Sequence, residues 1–352
     1  HCGGNYMTDG LGISASSTLV YEENTLANEE INSLMTSYYG IDTYHVIPDP
    51  NDTYIDHIDC WGKYLSPSKV IIREVPVSHP QYNEIEAVAD YFSESLTSWG
   101  ENWNVYRVYT PNNQPYSNSL IINNKIFVPI MNSSWDDDAL EVYESAMPGY
   151  NIIGFSGTWE STDALHCRLK GIPDLNMLQL FHMPLSDSLS SLQSSGYPLN
   201  IEVDDLSGEG LIDGSIKVFW KNDEMVNYDS TQLFNSGVHE VQNTFSGYIP
   251  PQVYGSDIFY YIQASDSSGR VEKHPIAGYH SFYALPIGVC NNWTLGDIDN
   301  SGNLNIMDIL LLSELIIYGN SSGICCDFVA DINGDGELSI IDIVSLVSLV
   351  AS

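Results

Sequence analysis

Basic residues are scarce in this sequence: Lys and Arg together number 11, against 46 Asp and Glu, and the formal net charge is −35 over 352 residues. Proteins that bind nucleic acids need a basic surface for the phosphates, so this shortage argues against that class. Long apolar runs are also absent, because none reaches the roughly 18 residues of a membrane span. The apolar fraction of 43% is close to that of globular proteins, which excludes wholesale disorder and leaves room for two or three domains. The excess of acidic residues is compatible with binding of divalent cations or cationic substrates. The alternative is an acidic surface that is simply solvated.

The tail has no basic residue at all: Lys273 is the last, and nine acids fall between 291 and 352. Two twelve-residue segments of this tail, Asp297–Asp308 (DIDNSGNLNIMD) and Asp331–Asp342 (DINGDGELSIID), align without a gap and start 34 residues apart. Each has oxygen-bearing side chains at positions 1, 3, 5, 9 and 12, and a glycine at position 6. Calcium takes about six to eight oxygen ligands in loops of this kind, so the repeat predicts two calcium sites.

The predicted ligands combine side chains with one backbone carbonyl in each loop. They are Asp297, Asp299, Ser301, Asn305 and Asp308 with the carbonyl of Asn303 in the first loop, and Asp331, Asn333, Asp335, Ser339 and Asp342 with the carbonyl of Glu337 in the second. A helical pattern follows each loop, and no helix is predicted ahead of either, so the repeat is EF-hand-like without being a full helix–loop–helix hand.

The duplicated loop and helix, with Asp at position 12, resemble the type I dockerin, a calcium-dependent module that docks on cohesin domains. The resemblance covers about residues 295–350 and implies two bound calcium ions and a cohesin partner. In dockerins, loop positions 10 and 11 help to face the cohesin; here they are Ile306, Met307, Ile340 and Ile341. Packing of these four side chains in a core is the alternative.

The cysteines bear on the cellular compartment. A disulfide from Cys290 to either Cys325 or Cys326 would close the small tail module, and this hypothesis favours an oxidising, secreted location.

Residues 1–182 alternate short strands with helices. The recurring pattern is strand–strand–helix–strand, with Gly3–His45 as a third copy, and it predicts a propeller-like α/β arrangement with a site at its axis. The predicted elements are strands at Val70–Val75 and Trp103–Tyr109 around a helix at Tyr82–Thr97, a hairpin at Leu120–Ile130, a helix at Trp135–Met147 and a strand at Tyr150–Phe155.

Four motifs occur in order along this half. They are GGNYMTDG at Gly3–Gly10, HIDCWGKYL at His57–Leu65, YSNSLIINNKIFVP at Tyr116–Pro129 and ALHCRLKGIPD at Ala164–Asp174. A cysteine, a histidine and an acid far apart in sequence form a candidate covalent site. A buried cysteine and a core histidine whose hydrogen bonds are all made would produce the same sequence pattern, and this is the alternative. Together the motifs resemble the bacterial, porphyromonas-type peptidylarginine deiminases, relatives of the agmatine deiminases in the guanidino-group-modifying (pentein) superfamily. The resemblance covers Gly3–Pro184.

The resemblance implies a role for four residues. Cys167 would be the nucleophile, His57 the general acid and base, Asp59 the carboxylate that grips the guanidinium, and Asn118 a polar neighbour that places substrate or nucleophile. The products would be citrulline and ammonia, and this step needs no metal. If 57–59 is a strand, His57 and Asp59 point to one face.

The residues next to these four have structural interpretations that require no catalytic role. On a strand, His166 and Arg168 would point away from Cys167 and would be structural. Cys60, next to Asp59, would likewise face away as a buried thiol.

The family has a second guanidinium-binding Asp upstream of the GGNYMTDG motif, whereas this sequence begins inside that motif. The sequence is therefore either a fragment or a remnant, and we expect a fragment without the first propeller unit and without a signal peptide; such a fragment can be inactive.

Residues 185–288 change to short alternating strands separated by Gly, Ser and Asp turns, which predicts a β-sandwich of about 100 residues. The predicted strands include Asn200–Val203, Gly214–Trp220, Val238–Val241, Gly247–Ile249 and Asp257–Ala264. The region is similar to the immunoglobulin-like domain that follows the catalytic domain in the same family.

The sequence thus predicts an α+β multi-domain protein. Its parts are a deiminase domain at 1–184 (a partial α/β propeller), an immunoglobulin-like β-sandwich at 185–288 and a small helical dockerin at 292–352. The leading function is a secreted peptidylarginine deiminase joined to a cohesin-binding module. An agmatine deiminase and an inactive scaffold displayed through cohesin–dockerin contact are the alternatives.

Overall fold

The computed structural model describes residues 3–52, 54–55, 57–186, 188–190, 196–236, 243–252, 255–285, 295–298, 302–318, 327–333 and 338–350. The chain divides into two compact units, His1–Leu175 with Ile276–Gly278, and Asn176–Pro275 with Tyr279–Ser352. Each unit is described by itself below. None of the helices within the described residues is long and apolar enough to cross a lipid bilayer.

The first unit repeats one topology three times. Its elements are β1 (Met7–Thr8), β2 (Ile13–Ser17), α1 (Leu19–Glu22), α2 (Asn28–Tyr39), β3 (Thr43–Ile47), β4 (Gly62–Ser66), β5 (Lys69–Glu74), α3 (Tyr82–Glu94), β6 (Asn104–Tyr109), β7 (Leu120–Ile122), β8 (Lys125–Ile130), α4 (Asp136–Ala146) and β9 (Asn151–Ser156). They form three sheets, β1-β2-β3, β4-β5-β6 and β7-β8-β9. In each sheet the first two strands are antiparallel, and the third returns after a helix to lie parallel to the second. The strand–strand–helix–strand unit therefore occurs three times, while the propeller arrangement stays a prediction.

Local sequence explains where these elements begin and end. The hairpin of β7 and β8 turns at Asn123, which has a φ of 50°, a left-handed conformation that Asn adopts more readily than most residues. Helix α3 buries Ile85, Val88 and Phe92, spaced three and four residues apart, on one face. The predicted helix end at Thr97 is three residues too late, because Ser95 is extended and Leu96 pairs with Asn102 in an isolated bridge.

Strand β5 joins two cores. Val70 and Ile72 pack in one apolar cluster with residues of β2, β4 and α3, and Ile71 packs on the other side with β6, β8 and α4. Because β5 is buried on both faces, its apolar residues form a continuous run without alternation. The middle sheet is thus fixed from both sides, and the loop ahead of β4 rests on a rigid support.

The second unit contains two sheets around one core. Its strands are β10 (Leu178–Phe181), β11 (Ser188–Ser190), β12 (Tyr197–Asp205), β13 (Lys217–Asn222), β14 (Asp229–Gln232), β15 (Phe234–Asn235), β16 (Thr244–Ile249), β17 (Asp257–Ser265), β18 (Val271–His274) and β19 (His280–Leu285). One sheet has the order β10-β12-β16-β15, and the other has β11-β19-β17-β13-β14 with β18 on β17. Alternate residues of β12 and β17 point into the shared core, as expected for a sandwich. The predicted strand Val238–Val241 lies outside the described residues, and the immunoglobulin-like classification stays a prediction.

Three helices follow in the tail: α5 (Ile306–Tyr318), α6 (Asp327–Ala330) and α7 (Ile340–Val350). Helices α5 and α7 begin at loop position 10, because position 9 caps each of them. The side-chain oxygen of Asn305 accepts from the Met307 amide at 2.8 Å, and that of Ser339 accepts from the Ile341 amide at 3.2 Å. The sequence predicts no helix ahead of either loop that is equivalent to those following them, and the structure has the short, four-residue α6 directly before Asp331.

Candidate active site

The HIDC motif forms a 3₁₀ turn, Ile58–Cys60, immediately after an extended His57. The strand that would point His57 and Asp59 to one face is therefore not formed. A 3₁₀ turn advances about three residues per revolution, so the two-residue period of a strand does not apply to this segment. The turn buries the Asp59 carboxylate, whose side chain is 3% exposed.

The turn is held in place by the GGN segment at the start of the chain. Gly3–Asn5 is itself a 3₁₀ turn, and the Asn5 side-chain oxygen accepts from the Ile58 amide at 3.3 Å and from the Ser17 amide at 2.8 Å. Gly4 lies so close that a Cβ there would be 2.6 Å from His57 Nδ1 and 3.0 Å from Asp59 Oδ2. The close approach therefore requires glycine and brings His57 and Asp59 to one point of the backbone.

Cys167 also lies on a 3₁₀ turn, His166–Arg168. The prediction that residues flanking Cys167 point away from the site was wrong for His166, because its Nδ1 lies 2.8 Å from Asp59 Oδ2. Arg168 instead forms an exposed ion pair with Asp163 at 2.8 Å. No sequence signal distinguishes His166 from Arg168, since only the tertiary fold brings residue 166 to residue 59.

Asn118 holds the nucleophile candidate from two directions. Its Nδ2 donates to Cys167 Sγ at 3.1 Å, and its Oδ1 accepts from the His166 and Cys167 amides at 2.9 and 3.3 Å. The loop that carries Asn118 is buried, and the Tyr143 hydroxyl anchors it by donating to the Tyr116 carbonyl at 2.8 Å. The amide is thus fixed before any substrate enters.

Asp59 contacts the same sulfur. Its Oδ2 lies 3.4 Å from Cys167 Sγ, within the distance at which a thiol donates to a carboxylate. Burial, and next the negative charge of Asp59, raise the pKa of the Cys167 thiol to about 11, while the Asn118 donor works in the opposite direction. Without a cation at the site, the thiol is therefore protonated at neutral pH.

Two further groups surround this centre. Cys60 is buried as predicted, but its sulfur lies 3.7 Å from Asp59 Oδ1 and does not face away from the site. Burial raises the pKa of the Cys60 thiol far above its ordinary range, so Cys60 is a poor nucleophile. Lys63 on β4 is half-buried; removal from water lowers the pKa of its ammonium to about 8, while Asp59 and Cys167 oppose that shift.

The structure brings three of the four predicted catalytic residues into direct contact: Asp59, Asn118 and Cys167. The fourth, His57, lies beside Asp59 at Gly4. Their chemical roles stay predictions. Within the described parts of the chain, no group of three His, Cys, Asp or Glu side chains is arranged to hold a metal ion.

The tail loops are described in part. Asp308 Oδ1 accepts from the Ile298 amide at 2.7 Å and its Oδ2 from the Asn305 amide at 2.8 Å, so the last position of the first loop ties its two ends together. Asp342 does the same in the second loop, where it accepts from the Ile332 and Ser339 amides at 2.9 Å each. The other described predicted ligands are Asp297, Asn303, Asn305, Asp331, Asn333 and Ser339. The predicted ligands Asp299, Ser301, Asp335 and Glu337, and the cysteines Cys2, Cys290, Cys325 and Cys326, lie outside the described residues.

Comparison with known proteins supports a family for the N-terminal half. Residues 2–173 match the family model "Porphyromonas-type peptidyl-arginine deiminase". A "Putative agmatine deiminase" of Shewanella frigidimarina is 24% identical over 188 residues, which are 43% of this chain and 50% of that protein. A protein of the same name from Mycoplasma capricolum is 24% identical over 183 residues, again 43% and 50% of the two chains. The chain therefore spans about half the length of these curated relatives.

Solved structures are also similar to part of this chain. The "Putative Arginine Deiminase" of Porphyromonas gingivalis gives a TM-score of 0.43 at 22% identity, with 47% of this chain and 54% of that chain covered. The agmatine deiminase of Enterococcus faecalis gives 0.41 at 19% identity, with 44% and 51% covered. The match supports a guanidino-modifying deiminase family for the N-terminal half.

Proposed function

We propose that the N-terminal half, with its match to the Porphyromonas-type deiminases, hydrolyses the guanidinium of peptidyl-arginine to citrulline and ammonia through a covalent adduct on Cys167. One observation carries the proposal: Asp59 and Asn118 both contact the Cys167 sulfur, at 3.4 and 3.1 Å. A buried carboxylate beside a thiol disfavours the thiolate until a cation arrives. A guanidinium is a permanent, planar cation that a carboxylate can bind through two hydrogen bonds.

Substrate binding and thiol activation are coupled in this arrangement. The guanidinium neutralises Asp59, which removes the repulsion that raises the thiol pKa, and Cys167 passes its proton to His57 more easily. The thiolate attacks the central guanidinium carbon, forming an S–C bond and a tetrahedral adduct. Asn118 donates to the sulfur and keeps it aimed at that carbon.

His57 moves the protons in this scheme. It protonates one nitrogen of the adduct, the C–N bond breaks, and ammonia leaves a thiouronium on Cys167. His57 then takes a proton from water as the water oxygen attacks the same carbon. The C–S bond breaks, the ureido product leaves, and the thiolate is restored. The sum is guanidinium plus water to ureido group plus ammonium.

Agmatine is the second candidate substrate, because the curated relatives above carry that name. Peptidyl-arginine is favoured by the family model and by the additional domains after residue 175, which extend the chain beyond the deiminase unit. An inactive scaffold is the third alternative.

The decisive experiment measures ammonia release by the full chain from agmatine, from a peptide with a C-terminal arginine and from a peptide with an internal arginine. We expect release from the peptides and its loss in Cys167→Ala. Arg168→Ala, next to the nucleophile but paired outward with Asp163, serves as the control and should retain activity. Turnover of agmatine alone would favour the second candidate, and no turnover of any guanidinium would favour the scaffold.

We also propose that the tail is a type I dockerin that binds two calcium ions and a cohesin, and that the protein is secreted. The residues suit calcium: Asp297, Asp308 and Asp342 are fully buried, and residues 291–352 contain no Lys, Arg or His. Buried carboxylates need a cationic partner. The loop oxygens predicted from the sequence would hold the ion, which would supply positive charge that fixes the loops.

The helix surfaces support a protein partner for the tail. Ile306 and Ile340 are 67% and 70% exposed, and Met307 and Ile341 are exposed as well, which excludes core packing of these side chains within the tail. Leu310 and Val344, again 34 residues apart, extend both apolar faces. Exposed apolar residues in matching positions of two repeats are typical of an interaction surface.

A further inference from the structure

His166 shares one carboxylate oxygen with the nucleophile candidate. Its Nδ1 lies 2.8 Å from Asp59 Oδ2, and Cys167 Sγ lies 3.4 Å from the same atom. An ionised carboxylate only accepts hydrogen bonds, so Nδ1 is the nitrogen that carries the proton in this contact. Asp59 is buried, which strengthens the effect of any charge or donor placed against it.

We propose that His166 is a positioning residue that fixes the Asp59 carboxylate and offsets the negative charge acting on Cys167. The proposal rests on the proposed deiminase function for its catalytic meaning. It assigns His166 a task that is distinct from that of His57: His57 transfers protons to and from the substrate, whereas His166 acts through Asp59.

A purely structural role explains the His166 ring poorly. The backbone of the turn is already held, because the His166 amide lies 2.9 Å from Asn118 Oδ1 and 3.2 Å from the Asn118 carbonyl oxygen. The His166 side chain is 30% exposed, so it contributes little core packing. The directed interaction of this ring among the described contacts is the one with Asp59.

Several titratable groups surround the Asp59 carboxylate and act on it together. Asp59 is faced by His57 and Cys60 from its own turn, by Lys63 from β4, and by His166 and Cys167 from the third 3₁₀ turn. The donor on Asp59 Oδ2 draws electron density away from the atom nearest the sulfur. When the His166 donor is removed, less of the negative charge of Asp59 is offset, and the Cys167 thiol then ionises only at higher pH.

The test follows the pH dependence of Cys167 alkylation by iodoacetamide, read by peptide mass spectrometry from about pH 8 to about pH 12.5 so that the range includes the midpoint, with circular dichroism at each pH. His166→Ala should move the midpoint upward by about half a pH unit or more. The midpoint is informative because a more open pocket would change the alkylation rate at every pH without moving the midpoint. His166→Asn should restore the midpoint, since its amide Nδ2 can take the place of Nδ1 as a donor.

Arg168→Lys is the matched control, because it changes the other neighbour of Cys167 while keeping the positive charge that acts on the thiol, and it does not touch Asp59. An unchanged midpoint in His166→Ala, with the fold intact, would overturn the proposal. Alkylation also separates this proposal from the deiminase function. A shifted midpoint without ammonia release from any guanidinium would support the His166 contact and contradict the deiminase proposal. Normal catalysis with an unshifted midpoint would contradict only the proposed role of His166. If the enzyme is active, the acid limb of kcat/KM should shift upward in parallel.

Discussion

The Asn118 amide nitrogen lies 3.1 Å from the Cys167 sulfur, and its oxygen accepts from the backbone amide of the same cysteine at 3.3 Å. One side chain thus orients both the backbone and the sulfur of Cys167. Because the amide is fixed by a buried loop, this geometry needs no rearrangement when substrate binds. The contact is therefore directly testable by changing a single atom.

Asn118→Asp replaces the donor nitrogen by a charged oxygen at the same place. We expect ammonia release to fall by about a hundredfold or more, because a donor becomes an acceptor and a second negative charge raises the Cys167 pKa further. Steady-state kinetics with the best guanidinium substrate provides the measurement. Asn132→Asp is the matched control: it changes net charge equally at an exposed position with a φ of 58°, which Asp adopts readily. Equal losses in both variants would contradict a local effect.

Gly4→Ala should damage the site, whereas Gly3→Ala should not. A Cβ on Gly4 would lie 2.6 Å from His57 Nδ1, so the histidine or the Asp59 carboxylate must move. No heavy atom lies within 4 Å of a Cβ on Gly3. We expect activity to fall by about tenfold or more in Gly4→Ala at little cost in thermal stability, since small misplacements of catalytic groups are costly. Similar kinetics for the two variants would argue against a catalytic position for His57.

Sequence periodicity located most regular elements and failed at the site, for a physical reason. Helix α3 and strand β5 present repeating patterns over six or more residues, which a sequence reveals directly. The three 3₁₀ turns are three residues long each, too short for any period to emerge. The 2.8 Å contact of His166 with Asp59 joins residues 107 positions apart, and only the folded sheets bring them together. The motifs thus identified Asp59, Asn118 and Cys167 as candidates, but could not predict how their side chains are oriented.

Acid should destabilise the sandwich through buried histidines. His182 is 5% exposed, its Nε2 lies 2.9 Å from the Tyr260 hydroxyl, and burial lowers the pKa of its imidazole to about 4. Burial, with an added effect of His182, also lowers the pKa of His274 to about 4, and His274 Nδ1 lies 3.0 Å from His280 Nε2. Above about pH 6.5 these histidines are neutral whether folded or unfolded, so they add no pH dependence there.

Between about pH 6.5 and about pH 4, the unfolded chain binds protons that the folded chain does not. The free energy of unfolding should therefore fall as the pH falls, by about 1.4 kcal/mol per pH unit for each histidine near the middle of that range. Urea unfolding at several pH values measures this slope, and His182→Gln should make it shallower. His79→Gln, a histidine whose Nδ1 accepts from the Gln81 amide in the first unit, is the comparison variant and should leave the sandwich slope unchanged.

Calcium should stabilise the tail and increase its helicity. The first and last carboxylates of the first loop, Asp297 and Asp308, are fully buried, and burying carboxylate charge is costly unless it is paired or coordinates a metal. Ligand that binds only the folded state adds about 2.7 kcal/mol at a hundredfold excess over its Kd. We therefore expect protein stripped with EDTA to gain far-ultraviolet helical signal and thermal stability on addition of calcium, with a measurable heat of binding.

The variant Asp342→Asn removes one buried charge while leaving an oxygen to accept from the loop amides. We expect it to weaken the calcium response of the second loop, so that calorimetry detects one strong site in place of two. Asp213→Asn, an exposed change of equal charge in the sandwich, should bind calcium as the unaltered protein does. Magnesium at the same concentration should have a smaller effect, because it demands a tighter octahedral shell than a loop of about six to eight oxygens provides. A protein whose stability and helicity do not respond to calcium would remove the basis for the dockerin assignment, and with it the expectation of a cohesin partner.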